Sequence, residues 1–121
     1  MTARKTRVYH VDDNADAREM FGVLLRGEQD IEEVGSGFSA EGLLEHVRRT
    51  MPDVLVMDLK MPGADPYVVM SEVHAEFPQL RILVLSGCSD SDARAKARAA
   101  GASAYIVKAS DIYKTLDAIR A

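Results

Sequence analysis

The chain repeats one local pattern five times, and that repetition narrows the fold more than any single residue does. Short apolar, β-branched runs occur at Arg7 to Val11, Ile31 to Val34, Val54 to Met57, Ile82 to Leu85 and Ala104 to Val107, and a longer segment with helical spacing follows each. After the first run, Ala17, Met20, Phe21, Leu24 and Leu25 fall at i, i+3, i+4, i+7 and i+8, the spacing of a helix with one buried face. In the second helix Ala40, Leu43, Leu44 and Val47 line one side, Ser39 is the expected N-cap, and Pro52 with Asp53 marks the exit. The third begins near Pro66, buries Met70, Val73 and Phe77, and stops before Pro78. The fourth, about Asp90 to Ala100, is largely alanine with Arg94, Lys96 and Arg98 outside and Gly101 as its stop, so its hold on the core is weak. The fifth carries Ile112, Leu116 and Ile119 on one stripe.

The first, third and fourth runs are continuously apolar rather than alternating, as parallel strands covered on both faces by helices are. Right-handed crossovers leave few arrangements of five βα units. The expectation is an α/β fold, a flavodoxin-like doubly wound (βα)5 sheet in the order 2-1-3-4-5. At 121 residues, 1–121 is read as one domain with no separate substrate module.

Nineteen acidic against fifteen basic residues leave a net charge of -4, which argues against a domain that grips a nucleic-acid backbone by itself. The single cysteine, Cys88, cannot form an internal disulfide, which suits a reducing compartment. No apolar run approaches the roughly 20 residues of a membrane span, so neither a membrane partner nor a leader is expected, and the location is read as cytoplasmic.

In doubly wound sheets chemistry gathers beyond the carboxyl ends of the strands. The first run ends in Asp12 and Asp13, the third in Asp58, the fourth in Ser86 and the fifth in Lys108. Taken singly these are bland: acidic residues cap helices, a lysine is a solvated charge, and a serine is a loop residue. Together, three carboxylates in one crevice repel one another unless a divalent cation or a cationic side chain offsets them. Oxygen-only ligands favour Mg²⁺ or Mn²⁺ over zinc. There is no GxxxxGK[ST] loop and no GxGxxG after the first run, so backbone amides do not cradle a nucleotide. A carboxylate beside a divalent ion, a lysine and a hydroxyl is equipped to attack a phosphoryl group and form an acyl phosphate.

Four motifs in order, VDDN (Asp12, Asp13), VMDLKMPG (Asp58 to Gly63), LSG (Ser86, Gly87) and YIVK (Tyr105, Lys108), closely resemble those of the receiver domains of two-component response regulators. The resemblance covers essentially the entire chain. It implies that Asp58 accepts a phosphoryl group from a phosphohistidine on a sensor histidine kinase or a histidine phosphotransfer protein. It implies that Asp13 and Asp58 ligate Mg²⁺ directly with the backbone carbonyl of Lys60, while Asp12 acts through water. Lys108 would pair with Asp58 and then with the phosphoryl oxygens. Ser86 would turn to the new phosphate, letting Tyr105 move inward and reshaping the surface of the fourth helix, fifth strand and fifth helix for a downstream protein or an effector domain. Dimerisation through the fourth and fifth helices after phosphorylation is a further candidate consequence.

The sequence departs from that family in places. Ala109 follows Lys108 where such domains usually carry a cis proline, Pro66 replaces a frequent glycine, Ala64 stands where a larger residue is common, and Lys60 puts a flexible cation near the acceptor. His10, inside the first strand, reads as a core histidine, and His46 and His74 as helix-surface residues. Two other functions compete with the switch. A phosphohydrolase using an aspartyl phosphate would need a substrate pocket that so short a chain hardly leaves, and a phosphorylation-independent interaction module has only Ala109 in its favour.

Overall fold

A computed structural model describes residues 4–87, 90–108 and 112–121. Five strands alternate with five helices: β1 (Thr6–Val11), α1 (Ala15–Arg26), β2 (Ile31–Gly37), α2 (Leu43–Thr50), β3 (Val54–Met57), α3 (Pro66–Glu76), β4 (Arg81–Ser86), α4 (Ser91–Ala99), β5 (Ala104–Val107) and α5 (Ile112–Arg120). The strands form one parallel sheet in the order β2-β1-β3-β4-β5. The expected α/β architecture and strand order are both present.

Successive strand residues point to opposite faces, and each face is covered by its own helices. Tyr9, Val11, Leu55, Met57, Ile82 and Val84 pack with Leu43, Val47, Val69, Met70, Val73 and Ala97 of α2, α3 and α4. Val8, Val54, Val56 and Leu83 pack on the other face with Leu25, Leu116 and Ile119 of α1 and α5. This double covering is why β3 at the centre of the sheet, Val54–Met57, is apolar and buried throughout.

Four expectations change in detail. Ser39 does not cap α2, which starts at Leu43 behind Gly42 (φ +74°). Its hydroxyl instead accepts from Glu41 N and donates to the Pro62 carbonyl, each at 3.0 Å, so it ties the loop after β2 to the loop after β3. Met20 is 74% exposed, because α1 presses on the sheet at Gly22, where an added Cβ would lie 2.7 Å from Glu33 Oε2. The buried stripe therefore runs through Gly22 and Leu25, with Phe21 and Leu24 half-buried. Phe77 ends α3 as its half-buried C-cap residue rather than a core residue. Finally, β2 continues past Val34 to Gly37, with a register shift opposite Val8/Tyr9. A Cβ at Gly35 would lie 2.8 Å from the Tyr9 ring, so the glycines that look like a strand's end make room for a core tyrosine.

His10 is a core histidine, 2.6 Å from Glu33 Oε2 through Nε2 and edge-on to Phe21, while Arg26 also pairs with Glu33. Burial holds its pKa below the ordinary value against the opposing pull of Glu33. His46 is exposed but not idle, since its Nδ1 is hydrogen-bonded to the Tyr9 hydroxyl at 2.7 Å. His74 is exposed and lies over Gly101. Cys88 and the Lys108–Ala109 peptide, singled out in the sequence, lie outside the described residues.

Candidate functional site

Parallel register brings the carboxyl ends of β1, β3, β4 and β5 to one edge of the sheet: Val11 pairs with Met57, Met57 with Val84, and Ser86 with Val107. Ladder-like bonds continue one residue further, from Asp58 N to the Val11 carbonyl at 3.1 Å and from Lys108 N to the Ser86 carbonyl at 2.7 Å. The chain thus has little freedom where the acidic and basic side chains emerge.

Carboxylate oxygens of Asp12, Asp13 and Asp58 all lie within 4.8 Å of one another. Asp58 is the most enclosed, with 6% of its surface exposed, so its charge needs partners. Its Oδ2 accepts from Lys108 Nζ at 2.7 Å and its Oδ1 from Lys60 N at 3.0 Å. Lys108 Nζ also donates to Asp12 Oδ2 at 2.9 Å, bridging the two carboxylates. Burial works against the Lys108 ammonium, but its bonds to Asp58 and Asp12 outweigh that and hold its pKa above the ordinary lysine value.

Asp12 is fully engaged: besides Lys108, its Oδ1 accepts from Asn14 N at 3.0 Å and its carbonyl from Arg18 Nη1 at 2.8 Å. Helix capping belongs to Asn14, whose side chain accepts from Ala17 N at 2.9 Å, so the acidic pair is not needed as a cap. Asp13 is exposed and makes no hydrogen bond or ion pair among the described residues. Three carboxylates facing one ammonium leave an excess of negative charge on hard oxygen donors, which suits a divalent cation of the Mg²⁺ type.

Ser86 is buried at the end of β4, beside this group in the sheet order. Arg94 lies 4.6 Å over the Tyr105 ring and donates to the Tyr105 carbonyl at 3.3 Å. That contact was not legible in the sequence, where Arg94 looks like any solvated helix residue. Neither was Arg18, since nothing in its spacing separates it from other arginines on helix surfaces. A groove of about 520 Å³ runs from Asp12, Asp58 and Lys108 between α1 and α5, lined by Met20, Phe21, Val23, Leu24 and Ile112 among others.

Residues 8–120 match the family model described as the response regulator receiver domain. The response regulator protein VraR of Staphylococcus aureus is 29% identical over 114 residues, covering 94% of this chain and 54% of the relative. The chain therefore spans about half the length of that relative. Among solved structures, a LuxR-family two-component response regulator from Aurantimonas sp. SI85-9A1 superposes with a TM-score of 0.89 at 30% identity, covering 96% of this chain and 83% of the other. The signal receiver domain of the putative response regulator NarL from Mycobacterium tuberculosis gives 0.87 at 26%, covering 98% of each chain.

Proposed function

Because this chain belongs to the family of response regulator receiver domains, we propose that residues 1–121 are one phosphorylation-controlled signalling switch whose acceptor is Asp58. The observation that carries the reading is the enclosed Asp58 carboxylate, held by Lys108 at 2.7 Å with two further carboxylates close by. An isolated carboxylate so placed would be costly, whereas one poised to bond with phosphorus needs this enclosure and fixed aim.

The donor is a phosphohistidine on a sensor histidine kinase or a phosphotransfer protein. An Asp58 carboxylate oxygen attacks phosphorus in line with the scissile P–N bond. That bond breaks with its electron pair retained by the imidazole nitrogen, and an acyl phosphate forms on Asp58. Asp13 and Asp58, with the Lys60 carbonyl, would hold Mg²⁺ directly and Asp12 through water; the ion would offset charge on the transferring phosphoryl oxygens. Lys108, already bonded to Asp58, moves its hydrogen bond to the phosphoryl oxygens. Ser86 donates to a phosphoryl oxygen and Tyr105 repacks inward, so that the surface of α4, β5 and α5 changes for a partner.

The chain acts as a switch and catalyses only its own phosphorylation and dephosphorylation. The apolar groove between α1 and α5 is the surface on which the donor's histidine-bearing element docks, since it ends at Asp58. The relatives' greater length supports an effector outside this segment, and the net charge of -4 puts any nucleic-acid contact there too. Cytoplasmic location and dimerisation through α4 and α5 belong to the same reading.

Intact mass after incubation with a small phosphoryl donor and Mg²⁺, with and without EDTA, tests it. One Mg²⁺-dependent phosphoryl adduct, absent in Asp58→Asn, is expected. No adduct together with no binding of beryllofluoride would overturn the switch in favour of a phosphate-independent module.

A further inference from the structure

We propose that Arg18 is a positioning residue for the divalent-cation site, acting through the backbone of Asp12; the inference rests on the metal reading above. Asp13, the exposed member of the carboxylate trio, has no hydrogen bond or ion pair of its own among the described residues. Its aim therefore depends on the peptide before it. That peptide's carbonyl, the Asp12 oxygen, accepts from Arg18 Nη1 at 2.8 Å, one turn into α1. The Asp12 N–H is fixed from the other side by the Gly37 carbonyl at 3.1 Å, and the Asp12 side chain by Lys108 and Asn14 N. Arg18 thus closes the set of bonds that fix the strand-to-helix turn carrying both acidic residues. Groups that hold ligands in place in this way typically change metal affinity 10–100-fold when removed.

Charge and position make opposite predictions here. A guanidinium beside a dication repels it, so loss of the Arg18 charge alone would tighten Mg²⁺ binding. Loss of the bond to the Asp12 carbonyl would weaken it. The sign of the change separates the two without reference to phosphorylation.

The experiment is calorimetric titration of the whole chain with MgCl₂ for wild type, Arg18→Met, Arg18→Lys and Asp13→Asn, with melting in EDTA for each. Weaker Mg²⁺ binding by roughly tenfold or more is expected in Arg18→Met. Arg18→Lys, which keeps the charge without the guanidinium fork, is expected to weaken binding as well and guards against a failure of the Met variant to fold. Unchanged or tighter binding in a folded Arg18 variant would overturn the proposal. Wild type that binds no Mg²⁺, or Asp13→Asn that binds as wild type does, would instead overturn the metal reading on which it stands.

Discussion

Gly101 follows the last turn of α4 with φ +111°, and a Cβ there would lie 2.5 Å from Cγ of His74 on α3. Two penalties combine in Gly101→Ala, a backbone conformation that L-residues avoid and a ring that must move. A loss of about 2–4 kcal/mol is expected from strain plus overpacking. Chemical denaturation of Gly101→Ala, His74→Ala and the double variant apportions it. The clash should disappear in the double variant while the backbone part persists, so the two losses should not add. Tyr9 offers a second test at this scale. Its ring is buried and burial raises the phenol's pKa, so the unfolded chain ionises first as pH rises. The stabilisation this provides is whole below about pH 10 and drains away as pH climbs through the higher folded value. Tyr9→Phe should cost about 1 kcal/mol at neutral pH through the lost bond to His46. Its stability should then fall less than that of wild type between neutral and strongly alkaline pH; parallel curves would refute the assignment.

Among the elements, those whose residues serve only packing were the ones the sequence displayed best. β3, Val54–Met57, begins and ends where its apolar run does, because a strand covered on both faces has no reason to contain a polar residue. The N-terminus of α2 was hidden because Ser39 uses its hydroxyl to join two loops, and a serine's partner is not written in its neighbours. On α1 only Met20 was misplaced: Phe21, Leu24 and Leu25 pack on the core as expected, while α1 approaches β2 closely at Gly22 and Met20 stands in solvent beside Val23. The cluster of Asp12, Asp13, Asp58 and Lys108 was legible because each follows the end of a strand, and parallel register carries strand ends together. The contacts of Arg18 and Arg94 were not, since Arg18 reaches back six residues over the strand-to-helix turn and Arg94 crosses from α4 to β5, and helical spacing displays neither. The exposure of Met20 has a functional consequence. Met20 contributes little to the core, so Met20→Glu should leave folding and phosphorylation by a small phosphoryl donor near wild type. Transfer from a phosphohistidine protein that docks in the groove beside Asp58 should slow by roughly tenfold, the effect of losing one good apolar contact. Equal slowing with both donors would place the defect in the chemistry and not in docking.

For the molecule as a whole, the sheet that gathers the site also sets carboxylates against one another, and stability and metal binding are therefore opposed. Asp12 and Asp58 share the Lys108 ammonium while Asp13 has no ion pair among the described residues, and a folded chain must bring all three carboxylates together without the cation that would balance them. Unfolding separates those charges. Removing one of them should help the metal-free fold, although Asp13 is exposed and the gain should not exceed about 1 kcal/mol. Binding to the folded state alone works the other way: Mg²⁺ at a hundred times its dissociation constant adds about 2.7 kcal/mol, roughly 10 °C in melting temperature for a domain of this size. Asp13→Asn should therefore melt at or slightly above wild type in EDTA, and well below it in saturating Mg²⁺, so that the two melting curves exchange order. If the variant gained as much from Mg²⁺ as wild type does, the carboxylates would not be a cation site, and their closeness would need another cause.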